Sequence, residues 1–341
     1  MLNKVYRLIS PKQFETVMVE ENIKSNTVIV RPTFLSICHA DQRYYTGSRE
    51  KSVLRKKLPM ALIHEGVGTV VKDFSGTFEK NDRVIIVPNI PFENNKFIQE
   101  NYLPSSKFRS SGHDGLMQEY VFTQSDRLVK VLDSIPSNVA AYTELISVAL
   151  HGIKRMQKVM NEDHETFGIW GDGNLGYIVA NLLKGLYPNS ELIIFGKSEE
   201  KLSFFSFADK TYTIDAIPSN IQISQAFECV GGTGSYFALK QIINYIKPQG
   251  TIGIMGVSEN PIEIETRKVL EKGLLISGTS RSGANDFKDT VQFLSDHPSE
   301  RKRFKNLVGI EREIKSIEDV HAFFEADLAN SWGKAVMKWE L

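Results

Sequence analysis

Two cysteines, Cys38 and Cys229, are all that the 341 residues contain. One pair so far apart is no disulfide framework for a chain of this size, and reduced thiols suit the cytosol. No apolar run approaches the length that spans a bilayer. The opening segment MLNKVYRLISPKQFETV lacks the apolar stretch of a secretory leader. Neither sign of charge is in excess, since Lys plus Arg and Asp plus Glu both total 41. That balance excludes a general electrostatic attraction to nucleic acid or to an anionic membrane. The basic run RKRFK at 301–305 is therefore expected as a solvated helix face. Repeats and low-complexity tracts are also missing. From these absences a soluble cytoplasmic protein is expected.

What is present is globular. Hydrophobic residues make up 41% and charged residues 24%, a composition that folds around a core. At 341 residues the length exceeds one ordinary core and points to two domains. The first part reads as short strands, TVIVRPTFLSIC, EGVGTVVKDF, DRVIIVP and MQEYVFTQ, interrupted by Gly66, Gly68 and Gly76. Residues 90–115 are polar and read as a long excursion loop. Near Ala140 the texture changes. AAYTELISVALHGIKRM has helical spacing, and from Phe167 strands without polar alternation (FGIWG, ELIIFG, QAFECVGG, GTIGIMGV, LLISGTS) are separated by helices. That rhythm predicts a parallel sheet covered on both faces, so the fold class is α/β with a doubly wound part. Trp170 and Cys229 are expected in the core, and His164, His297 and His321 on the solvent side.

The segment GIWGDGNLGY places Gly171, Gly173 and Gly176 in G-x-G-x-x-G spacing, after a strand and at the start of a helix. In that context the spacing indicates a dinucleotide. Gly171 allows a tight turn, and Gly173, with Asn174 and Leu175 after it, lets the backbone approach a pyrophosphate. Gly176 lets the helix pack closely on the strand. A tight turn with no ligand is the competing reading. About 20 residues further on, an NAD site carries an acid that bonds the ribose 2′-hydroxyl. Here FGKSEEKL puts Gly196, Lys197 and Ser198 at the strand end. A cation and a hydroxyl suit a 2′-phosphate, so NADP(H) is the expected cofactor.

Zinc accepts thiolate, imidazole and carboxylate together, and a catalytic zinc uses three protein ligands and keeps one position open. Cys38 in SICHADQRYYTG, His64 and Glu65 in ALIHEGVGTV, and Glu144 in YTELISVALHG are residues of those types. Their spacing alone selects no ligand set. The same segments carry a resemblance. ICHADQRYYTG is similar to a Cys-x-x-Asp segment, and HEGVGTV to a Gly-His-Glu-x-x-Gly segment in which Ile63 replaces the first Gly. SGHDGLMQEYV, ELISVALHG and GDGNLG complete the pattern. Along nearly its whole length the chain resembles the zinc-containing medium-chain dehydrogenases/reductases, the alcohol and polyol dehydrogenase group.

The resemblance implies a GroES-like, β-rich catalytic domain at 1–145, completed by 281–341, and a Rossmann nucleotide-binding domain at 146–280. The active site is then expected in the cleft between them. One catalytic zinc is implied on Cys38, His64 and Glu144, with Glu65 either a ligand or an outer partner. Many members hold a structural zinc on four cysteines in the long loop; residues 90–115 contain no cysteine, so no such ion is expected. Two positions after the ligand cysteine, where a Ser or Thr usually relays the proton, this chain has Ala40. His39, or a zinc-bound water near Glu144, is expected to take that part. SICHADQRYYTGSR, LIHEGVG and SGHDGLMQEYV further resemble the members that reduce D-ribulose 5-phosphate to D-ribitol 5-phosphate for CDP-ribitol, teichoic acid or capsule. A sugar phosphate needs cations, and Arg suits phosphate best. Arg43, Arg109 and Arg281 are the candidates. A homodimer, able to associate with the cytidylyltransferase of that pathway, is implied as well. The alternatives are another zinc polyol or sugar-phosphate dehydrogenase, and a non-catalytic NADPH-binding protein.

Overall fold

Val28, Val30 and Leu35 are fully buried in the strand Thr27–Ser36, and both edges of that strand are paired. It is the hub of the first of two units. The computed structural model describes residues 1–341, which divide into Met1–Ser147 with Ser282–Leu341, and Val148–Arg281.

In the first unit the main sheet runs Leu128–Lys130, Arg83–Ile86, Glu65–Asp73, Thr27–Ser36, Lys334–Trp339, Val308–Ile314. Val121–Gln124 also pairs with Thr27–Ser36. A second sheet holds Gln13–Glu20, Leu2–Ser10 and Met60–Ala61. Leu8, Met60, Val30, Ile86, Phe323 and Met337 belong to one apolar cluster, so both sheets share a core. Gly66 and Gly68 do not interrupt their strand as expected; they lie inside Glu65–Asp73. A side chain at Gly68 would strike the Arg31 carbonyl of the neighbouring strand, so glycine there permits close pairing. The excursion loop is also more ordered than its polarity suggests. It contains the 3₁₀ turn Glu100–Tyr102 and the short strand Lys107–Phe108, which pairs with Asn89–Ile90.

The second unit is a six-stranded sheet, all parallel: β1 (Thr166–Trp170), β2 (Glu191–Gly196), β3 (Lys210–Thr213), β4 (Ile223–Glu228), β5 (Ile246–Ile254) and β6 (Leu275–Gly278). The spatial order is 3-2-1-4-5-6, so the order reverses between β1 and β4, where doubly wound sheets bind ligands at the strand C-termini. Central β1 and β4 are buried at every residue, as strands covered on both faces are, although β4 includes the polar Ser224, Gln225 and Glu228. Trp170 stacks on Phe195 at 3.9 Å between ring centres, inside the core as expected.

RKRFK lies on the helix Pro298–Lys305, with Lys302 and Lys305 exposed and Phe304 buried. The three histidines expected in solvent are each partly buried against aromatic rings instead: His164 on Phe167 and Tyr187, His297 on Phe293, His321 beside Phe14 and Tyr45. Charged neighbours in sequence hid the apolar faces that these rings cover. No helix is long and apolar enough to cross a membrane.

Candidate functional site

Cys38 ends the extended segment after Thr27–Ser36 and caps the helix His39–Tyr45. Asp41, in the first turn of that helix, accepts the Cys38 backbone N–H at 3.1 Å. Its other oxygen accepts the Ile63 N–H at 3.0 Å and the Ser110 hydroxyl at 2.7 Å. One fully buried carboxylate thus ties together the two segments that carry Cys38 and His64. Ile63 sits at φ +69°, a left-handed conformation that a β-branched residue rarely adopts, and this is the position where the family pattern has Gly. The Asp41 contact and the Leu116 N–H on its carbonyl, at 2.7 Å, hold it there.

The ligand atoms of Cys38, His64 and Glu65 lie within 4.8 Å of one another. Burial disfavours a charged His64, but Asp41, then Cys38 and Glu144, outweigh it and hold the imidazole up to about 10. His64 Nδ1 is buried without a hydrogen bond, 3.9 Å from Asp41 Oδ2. Glu65 is completely buried and pairs with Lys334, whose Nζ is 3.0 and 2.9 Å from its two oxygens and also donates to the Ile37 carbonyl at 2.7 Å. Burial opposes the Lys334 ammonium, yet Glu65 and Cys38 keep its pKa raised. Glu144, in the first turn of the helix Thr143–Gln157, is 6% exposed. Burial raises its carboxyl, with His64 pulling the other way and Glu65 adding to the rise. Glu144 therefore shares the field of the cluster, but its oxygens are not among the three donors that converge within 4.8 Å.

This donor set fits zinc. Thiolate, imidazole and carboxylate are the ligand types that zinc takes, and a buried imidazole nitrogen without a partner is what a metal ligand leaves when no ion is bound. Asp41, 3.9 Å from Nδ1, adds a negative charge beside the ring. The donors that converge are those of Cys38, His64 and Glu65, and Glu65 is already held by Lys334.

His39 is exposed, with Nδ1 2.8 Å from Gln42 Oε1, and the Gln42 amide donates to Asp327 at 2.6 Å. Arg43 lies on the same short helix. Arg109 points elsewhere. Phe108 packs against the His64 ring and Ser110 reaches Asp41, while the buried Arg109 guanidinium between them donates to the Phe122 carbonyl at 3.1 Å. Burial pulls its pKa down to about 10. Arg281 is the last residue of the second unit and has φ +59°.

In the second unit Gly171 has φ +132°, and its N–H reaches the Phe195 carbonyl at 2.9 Å. A side chain at Gly176 would strike the Gly171 carbonyl, whereas one at Gly173 would meet only open space. Gly173 caps the helix Asn174–Leu186, so the open side is where an anion meets the helix N-terminus. The strand end at Gly196 has no acid of its own, as the sequence indicates. Asp172 brings one from the glycine loop, accepting the Lys197 and Ser198 N–H groups at 2.7 and 2.8 Å. Sequence reasoning passed over Asp41, Lys334 and Asp172. Asp41 had a signal, its place three residues after Cys38 where a capping carboxylate belongs; the other two had none.

Residues 24–133 match the alcohol dehydrogenase GroES-like domain. The chain is 52% identical to the ribulose-5-phosphate reductase of Bacillus spizizenii over 341 residues, 100% of both chains. It is 53% identical to ribulose-5-phosphate reductase 1 of Staphylococcus aureus over 339 residues, 99% of both. The crystal structure of S. aureus TarJ in complex with NADPH superposes with a TM-score of 0.89 at 48% identity, covering 100% of both chains. The chain belongs to the ribulose-5-phosphate reductases, within the medium-chain dehydrogenase/reductase family.

Proposed function

We propose that this protein reduces D-ribulose 5-phosphate to D-ribitol 5-phosphate with NADPH at one zinc ion per chain, held by Cys38, His64 and Glu144. The observation that carries the reading is the Cys38–His64–Glu65 cluster, its thiol half-buried, in a chain about half identical, end to end, to ribulose-5-phosphate reductases. Bound there, zinc supplies Lewis-acid polarisation of the ketone oxygen, and NADPH supplies the hydride. The chain's own residues do the rest. Asp41 fixes the backbone of Cys38 and of Ile63, the residue before His64. Lys334 neutralises Glu65, which limits the negative charge beside the Cys38 and His64 donors. His39, whose Nδ1 lies 2.8 Å from Gln42 Oε1, would exchange a proton through its other nitrogen. Gly173 leaves the helix N-terminus open to the cofactor phosphates. Both cysteines are free thiols, which supports a reducing, cytoplasmic location.

The substrate phosphate tests this reading. NADPH oxidation is measured with ribulose, ribulose 5-phosphate and other ketoses with and without phosphate. Ribulose 5-phosphate is expected to be far the best substrate. Arg43→Ala or Arg281→Ala should raise its KM more than about tenfold, equivalent to ~1.4 kcal/mol of binding. Equal kcat/KM for ribulose and its phosphate would leave a general polyol dehydrogenase.

The same reading includes a homodimer. β6 is an edge strand with Leu275 48% and Ile276 36% exposed, and Leu270 and Val257 are 80% and 71% exposed. An apolar, unpaired edge is a template for a second copy of the same strand. Sedimentation should give twice the chain mass of 38.5 kDa, and a Leu275→Lys variant should sediment as a monomer. A parent that stays monomeric at micromolar concentration excludes the pairing.

A further inference from the structure

Asp172 stands between two of the cofactor-loop glycines, and neither the glycine spacing nor the zinc chemistry uses it. Its Oδ2 accepts two consecutive backbone N–H groups, Lys197 at 2.7 Å and Ser198 at 2.8 Å. It crosses from the loop after β1 to the turn after β2, a separation of 25 residues to Lys197. The turn is built around this carboxylate. A side chain at Gly196 would lie 2.6 Å from Asp172 Cβ and 2.7 Å from Oδ2, closer than real contacts allow. Gly196 itself has no left-handed backbone, so glycine is needed there for the space that Asp172 occupies. Beyond the turn, the Ser198 hydroxyl accepts the Lys201 N–H at 3.3 Å, and Lys197 is exposed.

An acid at this place normally reads a ribose 2′-hydroxyl and repels a 2′-phosphate. Asp172 spends one oxygen on two backbone donors, and charge-assisted bonds of this kind hold a turn firmly. We propose that Asp172 is a positioning residue for cofactor choice: it fixes the Gly196–Ser198 turn so that Lys197 and Ser198 present their side chains to the 2′-phosphate of NADPH. This rests on the NADPH reading above and adds the residue that builds the phosphate contact.

The test is the ratio of kcat/KM for NADPH to that for NADH, measured with ribulose 5-phosphate on the full-length zinc-loaded enzyme. Asp172→Ala should lower the ratio at least about tenfold, mainly through KM for NADPH. Asp172→Asn, whose carbonyl oxygen accepts the same N–H groups, should keep most of it. Gly196→Ala leaves every charge in place and wedges the carboxylate off the turn, so it should reproduce the loss. In the double variant the alanine at 196 meets no carboxylate, so Asp172→Ala/Gly196→Ala should match Asp172→Ala alone. Should Asp172→Ala fail to fold, Asp172→Asn and Gly196→Ala still decide the matter. An unchanged ratio in Asp172→Ala or Gly196→Ala overturns the proposal, as does a loss in Asp172→Asn equal to that in alanine, since charge alone would then matter. A parent enzyme that prefers NADH overturns the NADPH reading instead. In that case Lys197→Ala is the control, with no effect on the ratio.

Discussion

Cys38→Ser is expected to abolish ribulose 5-phosphate reduction and to leave the purified chain without zinc. The thiolate is the softest of the donors in the cluster, and a serine hydroxyl neither ionises near neutral pH nor matches it as a ligand. Losing an outer partner of a metal site typically costs 10–100-fold in affinity, so losing a ligand costs more than about 100-fold. Elemental analysis of the parent should find one zinc per chain, and NADPH binding should survive in the variant because the glycine loop is untouched. Two tightly held ions in the parent, or a fully active Cys38→Ser, would contradict the assignment. The metal-free cluster also sets a pH dependence. His64, held up to about 10, and Glu144, raised to about 7 by burial, must both be unprotonated to ligate. Zinc uptake by chelator-stripped protein should therefore strengthen as pH rises from about 7 towards 10, by about tenfold per unit for each proton displaced, and weaken on acidification. An affinity flat across that range would show that the ligands are already free of protons.

Lys334→Met is expected to destabilise the fold by about 3–5 kcal/mol, the usual result of stripping the partner from a fully buried charge. Glu65 is 0% exposed and Lys334 is its salt-bridge partner, so no water replaces the lost ammonium. Urea unfolding measures the loss. Adding Glu65→Gln to Lys334→Met should recover a large part of it, because a neutral amide tolerates burial better than an unpaired carboxylate. A Lys334→Met protein within about 1 kcal/mol of the parent would mean that the pair contributes little, as many ion pairs do. The effect on zinc is separable: with Lys334 gone, Glu65 is released to compete for the metal.

The parts of the fold that the sequence made legible are those governed by short-range pattern. β1 reads as an apolar run and is buried throughout. The glycine spacing announced a turn whose geometry needs two of the three, by positive φ at Gly171 and by close approach at Gly176. Cys38, His64, Glu65 and Glu144 were legible as zinc-type residues, and the family pattern implied Cys38, His64 and Glu144 as a set, whereas the donors that converge are those of Cys38, His64 and Glu65. Asp172 and Lys334 were not legible, because each acts across a gap that no period spans: 25 residues to Lys197 and 269 to Glu65. Gly66 and Gly68 were misread as interruptions because a glycine that admits a neighbouring strand looks, in sequence, like one that ends its own.

The order in which a ribosome releases the chain bears on this architecture. Val148–Arg281 is contiguous and can fold as it emerges, but the first unit is completed only by residues from Ser282 onward. Glu65 leaves the ribosome 269 residues ahead of Lys334, roughly 13–54 s at about 5–20 residues per second. Throughout that interval Thr27–Ser36 lacks the strand Lys334–Trp339 along part of one edge, and the nascent chain carries an open sheet edge beside a thiol. Until Lys334 emerges Glu65 has no cation beside it, so this buried pair can form only when the chain is nearly complete.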